Sequence, residues 1–152
     1  MSHHYALRVY YEDTDAGGVV YHANYLRMAE RARTEALREA GIAHADLVEQ
    51  HGVMFMVHRV KLDYLAPARL DDALVVVTQT LALAGASMQL RQVVTRPADD
   101  AVLVVAEIQL VCVRVADQRP ARIPPRWRDG FKAMIPPHSG HDEATAGLET
   151  PA

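Results

Sequence analysis

Between Tyr5 and Glu12 the chain is crowded with β-formers, and the run Tyr-Ala-Leu-Arg-Val-Tyr-Tyr-Glu predicts a strand over 5–12. From Asn24 to Ala40 the apolar positions recur with the period of a helix. Tyr25, Ala29, Ala32, Ala36 and Ala40 share one face, with Met28 and Leu37 beside them, while Glu30, Arg31, Glu35, Arg38 and Glu39 fall mostly elsewhere. Asn24 is a residue type that caps helices, and Gly41 is a type that ends them in the left-handed conformation. A buried stripe made mainly of alanine lets the helix lie close to a sheet. Arg31 and Glu35 are spaced to pair, which on an exposed helix is worth only about 0.3–0.5 kcal/mol.

Between Gly41 and Val57 the pattern assigns no element; beyond it the reading is β. Val60, Leu62 and Tyr64 alternate with Arg59, Lys61 and Asp63, which predicts a strand over 57–64 with one buried and one wet face. The segment Ala66–Asp72 breaks it. Strands follow over 74–83, 88–95 and 101–115, separated by Ala84-Gly85-Ala86 and Pro97-Ala98-Asp99-Asp100. Short turns between long strands predict an antiparallel meander. The last strand is apolar on both faces in places, so it is central or pairs with another subunit. Arg126–Phe131 reads as a short turn that packs Trp127 on the body. Residues 1–135 read as a single domain and residues 136–152 as a disordered tail. One long helix covers a long sheet only if the sheet curls around it, so the expected class is α+β, a long central helix wrapped by a curved antiparallel sheet of about five strands.

Composition narrows the function. With 152 residues, half of them apolar, one sizeable core is expected. The net charge of −3 is spread along the chain, with no basic stripe and few aromatics for base stacking, so nucleic acid is not an expected partner. Cys112 is the single cysteine, set in an apolar run, where a packed and inert thiol is expected. His3, His4, His44, His51, His58, His138 and His141 lack paired metal-ligand spacing, and no metal is expected. There is no signal pattern, and no apolar run reaches the roughly 18 residues of a membrane span, so a cytoplasmic protein without an integral membrane segment is expected.

Chemistry concentrates in Tyr10-Tyr-Glu-Asp-Thr-Asp15-Ala-Gly-Gly-Val-Val-Tyr-His22-Ala-Asn-Tyr25. Glu12, Asp13 and Asp15 each have an ordinary reading as turn formers. A calcium loop counted from Asp13 fails at its fifth and twelfth positions, Gly17 and Asn24. A phosphatase-type Asp-x-Asp needs an alternating α/β chain, which this is not. A third arrangement joins more residues. Asp15 precedes two glycines that permit close approach of a substrate, and His22 comes just before the helix. Amides at a helix start have no intrahelical acceptor and, with the helix dipole, hold an anion. A carbonyl oxygen lodged there is polarised, and a carboxylate across the turn can attack its carbon or activate water.

The run Tyr11-x-Asp13-Thr14-Asp15-x-x-Gly18-x-Val20-x-His22-x-x-Tyr25, with Glu30, Arg33 and Glu35 on the helix, resembles the hotdog-fold acyl-CoA thioesterases, and more closely their 4-hydroxybenzoyl-CoA thioesterase and YbgC-like branch. Asp63-Tyr64-Leu65-Ala66-Pro67-Ala68-Arg69-Leu70-Asp71-Asp72 is similar to a later motif of that branch, and the resemblance covers roughly residues 5–125. It implies a hotdog fold and hydrolysis of an acyl-CoA to a free acid and coenzyme A. It implies that Asp15 is the catalytic carboxylate, nucleophile or general base, that the His22 amide is the oxyanion donor with the His22 side chain nearby, and that Tyr11 sits beside the carboxylate. Glu30 is a second candidate base, because one branch carries its carboxylate on the helix. The resemblance also implies a homodimer or dimer of dimers (a homotetramer), with the active site between subunits. Coenzyme A is then part of the substrate, and no separate cofactor is expected. Arg59, Lys61 and Arg91 are candidates for its phosphates by strand position, against a plain reading as a solvated strand face. Two other functions are compatible: a non-catalytic acyl-ligand-binding or cell-envelope scaffold protein on the same fold, and a hydratase. The hydratase lacks the expected His–carboxylate pairing on the helix.

Overall fold

The computed structural model describes residues 1–137. Five strands form one antiparallel sheet: β1 (His3–Arg8), β2 (Val53–Tyr64), β3 (Ala73–Leu83), β4 (Ser87–Arg96) and β5 (Ala101–Arg114), in the spatial order β1-β3-β4-β5-β2. The long helix α1 (Asn24–Glu39) lies on one face of the sheet; α2 (His44–His51) and α3 (Pro125–Lys132) are two-turn helices at its far end. This is the expected helix wrapped by a curved sheet, the hotdog arrangement.

The curl has a local cause. Pairing slips by one residue between Val57 and Arg59 in β2, between Thr80 and Ala82 in β3, and at Leu103 in β5, opposite Val94 and Thr95. Each bulge bends its strand and increases its twist. On the inner face Leu74, Val76, Leu90, Val94, Val104, Ala106 and Ile108 are buried, and α1 meets them with Tyr25, Met28, Ala29, Ala32, Ala36 and Leu37. Alanine at the contact brings helix and sheet close enough for a polar link. The Gln92 amide, fully buried, donates to Ala29 O (2.9 Å) and Thr78 Oγ1 (3.0 Å), and Arg33 Nη1 donates to Gln92 Oε1 (2.9 Å).

Several expectations need correction. The first strand stops at Arg8, and Tyr11–Asp13 form a 3₁₀ turn. Asp13 Oδ2 accepts from the Tyr10 amide at 2.8 Å, and a side chain that satisfies its own backbone competes with a strand ladder. Asn24 does not cap α1; its amide donates to Asp13 O at 2.9 Å. Glu35 pairs with Arg38 (2.8 Å), one turn the other way from Arg31. Helix α2 was not foreseen: its buried residue is Leu47, so there is little stripe to detect, although it stops at Gly52 with φ +62°. The segment at Arg126–Phe131 is a helix begun by Pro125, with Trp127 and Phe131 buried four residues apart.

The largest difference concerns β2. It spans twelve residues, and its alternation is in the predicted register: Val60, Leu62 and Tyr64 lie opposite the buried Ile108, Ala106 and Val104. Yet Val60 is 37% and Tyr64 49% exposed. β2 is the outermost strand on its side of the sheet, and α1 rests over β1 and β3; α2 contacts β2 and Val53 is buried, but Val57, Val60 and Tyr64 stay exposed. β5, by contrast, is paired on both sides, as its apolar faces require. The tail read at 136–152 falls almost wholly outside the described residues.

Candidate active site

The loop between β1 and α1 is stitched to the segment after β2, so the two distant motifs form one structure. Val20 N donates to Ala68 O (2.9 Å), Val19 bridges Arg69, and Ala68 N donates to the phenol oxygen of the buried Tyr25 (3.1 Å). Burial pushes the Tyr25 phenol above its usual range, which keeps it neutral.

Within that loop Asp15 is fixed by its own backbone. Its N–H donates to Val19 O (2.9 Å), and its carbonyl accepts from Gly18 N (3.0 Å). Its carboxylate Oδ1 accepts from Gly17 N at 2.8 Å. Both glycines are used. Gly18 has φ +77°, and a Cβ on Gly17 would stand 3.1 Å from Asp15 Oδ1. Oδ2 has no protein partner among the described residues. Asp15 is exposed and lines an open depression with Tyr11, Thr14, Gly18 and Leu70. Tyr11 is 82% exposed, so it fills no helix–sheet gap; its ring is available to whatever enters the depression.

At the start of α1 the N–H groups of His22 and Ala23 find no acceptor among the described residues, and no side chain caps the helix. Such groups, aligned with the helix dipole, are anion acceptors in waiting. The His22–Ala23 peptide, which carries the Ala23 N–H and adjoins that of His22, is held by Tyr64, whose hydroxyl donates to His22 O at 3.0 Å. The His22 ring lies between Tyr21 (centroids 4.5 Å apart) and the edge of Tyr64 (6.4 Å), and Tyr64 meets Tyr25 edge-on at 5.8 Å. Tyr64 was not assigned a role from sequence, although it stood in the second motif; its partner is 42 residues away, which no local pattern reveals.

The structure therefore brings Tyr11 and Asp15 to one depression, with His22 at the helix start outside that depression's wall. Glu30 lies further along the helix, at a different cavity. Arg59, Lys61 and Arg91 share the sheet face turned away from α1. Arg59 and Lys61 are exposed on the free edge strand, whereas Arg91 pairs with Glu107 at 3.5 Å. Cys112 is buried, and burial pushes its thiol up, away from nucleophilic chemistry. No cluster of metal-ligating side chains occurs among the described residues, and no helix among them is long and apolar enough to cross a membrane.

Residues 9–131 match the family model of the thioesterase-like superfamily. The chain is 43% identical over 118 residues to the acyl-CoA thioester hydrolase YbgC of Escherichia coli O157:H7, covering 78% of this chain and 87% of that one. It is 39% identical over 127 residues to the acyl-CoA thioesterase YbgC of Haemophilus influenzae, covering 84% and 92%. In fold it superposes on the solved 1,4-dihydroxy-2-naphthoyl-CoA thioesterase from Synechocystis with a TM-score of 0.82, covering 90% of this chain and all of that one at 21% identity. A family match across α1 and four of the five strands, together with relatives at 39–43% identity over most of the chain, has one reading: the chain belongs to the thioesterase-like superfamily, in its YbgC-like branch, and is a thioester hydrolase.

Proposed function

We propose that the substrate is an acyl-CoA, that Asp15 is the catalytic carboxylate, and that the thioester oxygen is held by the His22 N–H at the start of α1. What supports this is that one loop carries an exposed carboxylate, anchored through one oxygen with the other free among the described residues, and leads into an uncapped helix start where Tyr64 holds the His22–Ala23 peptide. As the carbonyl carbon becomes tetrahedral its oxygen gains negative charge, and fixed N–H donors stabilise that charge without reorganising. Asp15 either attacks the carbon, expelling the coenzyme A thiolate and leaving an anhydride for water to open, or takes a proton from water as it attacks. Tyr11 and the His22 ring flank the entering thioester. The relatives from Escherichia coli and Haemophilus influenzae are named for acyl-CoA hydrolysis, which supports the substrate class.

The working unit is at least a homodimer. A twelve-residue edge strand with Val57, Val60 and Tyr64 uncovered is a template for pairing, and antiparallel addition of a second copy's β2 satisfies both edges at once. Arg59 and Lys61, exposed along that edge, are offered for coenzyme A phosphates; Arg91, shared with Glu107, is the weaker candidate. The buried, unpaired thiol of Cys112 suits a reducing compartment and supports a cytoplasmic enzyme.

The test is Asp15→Asn, nearly isosteric and on an exposed side chain. Thiol release from acyl-CoA by the folded variant should fall about a hundredfold to ten-thousandfold, the usual range for a general base. Undiminished turnover would remove Asp15 from the mechanism. An active-site wild type that binds acyl-CoA and releases no thiol would favour the ligand-binding reading.

A further inference from the structure

A second cavity, of about 250 Å³, opens between α1, α2, β2 and α3, roughly two turns or more along α1 from His22. Leu37, Phe55, Leu110 and Phe131 give it an apolar wall, with the rings of Phe55 and Phe131 packed edge to face at 5.4 Å. The opposite wall is polar, and its centre is Arg33. This guanidinium is partly buried and makes no ion pair among the described residues. Glu30 lines the same cavity and acts on it only at longer range. Partly buried charges are ordinarily paired. Here the fixed neighbour is neutral: Gln92 Oε1 takes the Nη1 hydrogen, and Gln92 is itself locked by Ala29 O and Thr78. Capture of Nη1 leaves the Nε–Nη2 edge free, the edge that binds a carboxylate with two parallel hydrogen bonds.

The cavity is remote from Asp15 within one protomer. A second copy changes that. α1 starts near Tyr64 and ends near Phe55, so it runs antiparallel to β2. Antiparallel pairing of two β2 strands about their middle sets position 64 of one copy opposite position 53 of the other, and position 62 opposite position 55. The helix start and Asp15 of one protomer then face the mouth of the other's cavity. An engineered apolar cavity of about 150 Å³ admits benzene, so this one has room for a short acyl group with a polar end.

Resting on the thioesterase reading above, we propose that this cavity receives the far end of the acyl group, and that Arg33 selects acyl groups ending in a carboxylate. The preferred substrates are thus coenzyme A thioesters of short dicarboxylic acids. Neutral acyl groups of equal length leave the guanidinium desolvated and unpaired.

The experiment compares adipoyl-CoA with hexanoyl-CoA, two six-carbon thioesters that differ at the far end, in wild type, Arg33→Met and Arg33→Lys. Wild type should favour adipoyl-CoA in kcat/KM by about tenfold or more, the size of a charge-assisted hydrogen bond. Arg33→Met should reverse the order, and Arg33→Lys should keep part of the preference. Preference for hexanoyl-CoA in wild type, or an unchanged ratio in Arg33→Met, would overturn the assignment and leave Arg33 as a structural link to Gln92. Should Arg33→Met fail to fold, Arg33→Lys decides: a ratio of adipoyl-CoA to hexanoyl-CoA turnover unchanged from wild type overturns the proposal. Calorimetric titration of the wild type with two uncleavable thioethers, S-(5-carboxypentyl)-CoA and S-hexyl-CoA, separates this proposal from the hydrolase reading. Tighter binding of the carboxylate form supports it even if no thioester is turned over, and equal affinity overturns it even if all are.

Discussion

Tyr64, without reactive chemistry of its own, holds the backbone of a residue in the proposed site. Its hydroxyl reaches His22 O at 3.0 Å, so it orients the peptide at the start of α1. Removing that hydroxyl leaves the ring, with its edge contacts to His22 and Tyr25, in place. One hydrogen bond of this kind is worth about 0.5–1.5 kcal/mol. Tyr64→Phe should therefore fold with near-normal stability and lose about threefold to tenfold in kcat with little change in KM, measured by thiol release. A change confined to KM would assign Tyr64 to substrate binding. At this scale the sequence was partly legible. Asp15, Gly17 and Gly18 are neighbours, and a turn that ties a carboxylate to the next amides follows from local chemistry. Tyr64 and Arg33 owe their roles to His22, 42 residues away, and Gln92, 59 residues away, and spacing along the chain carries no trace of either.

Elements were legible where a stripe is long and its termination chemical. Helix α1 buries six residues at helical spacing and stops before Gly41, whose φ of +73° no other residue type adopts cheaply. No atom stands within 4 Å of a Cβ built there, so the cost of a substitution is conformational. Gly41→Ala should destabilise the protein by about 1–2 kcal/mol, and Gly41→Asn by less, by denaturant unfolding. Equal stability of all three would mean that the helix end relaxes. The meander β3–β4–β5 was legible for the same reason, with period-two stripes and turns rich in glycine, proline and aspartate. Elements with one or two buried residues, such as α2, were not. Nor was the end of β1, where Asp13 closes a turn on Tyr10 in competition with the ladder.

At the scale of the molecule, the decisive feature is an unfinished edge. β2 presents unpaired backbone groups and uncovered apolar side chains, which is the ground for the proposed pairing with a second copy. Light scattering of the purified protein should give at least a dimer. Val60→Lys, which places a charge on that face, should shift it toward monomer and, on the proposal that the site spans two copies, lower thiol release in parallel. Full activity in a monomeric variant would show that one protomer suffices. The sequence by itself determined the class of fold and the turn that holds Asp15, the carboxylate proposed for catalysis, because periodicity, turn chemistry and close-range hydrogen bonding act between near neighbours. Tertiary structure alone decided that β2 is an edge rather than a half-buried strand, that Tyr64 holds the helix start, and that Arg33 faces a cavity with no ion-pair partner among the described residues. Those outcomes depend on which surfaces the curled sheet leaves uncovered, and burial is a property of the whole packed chain.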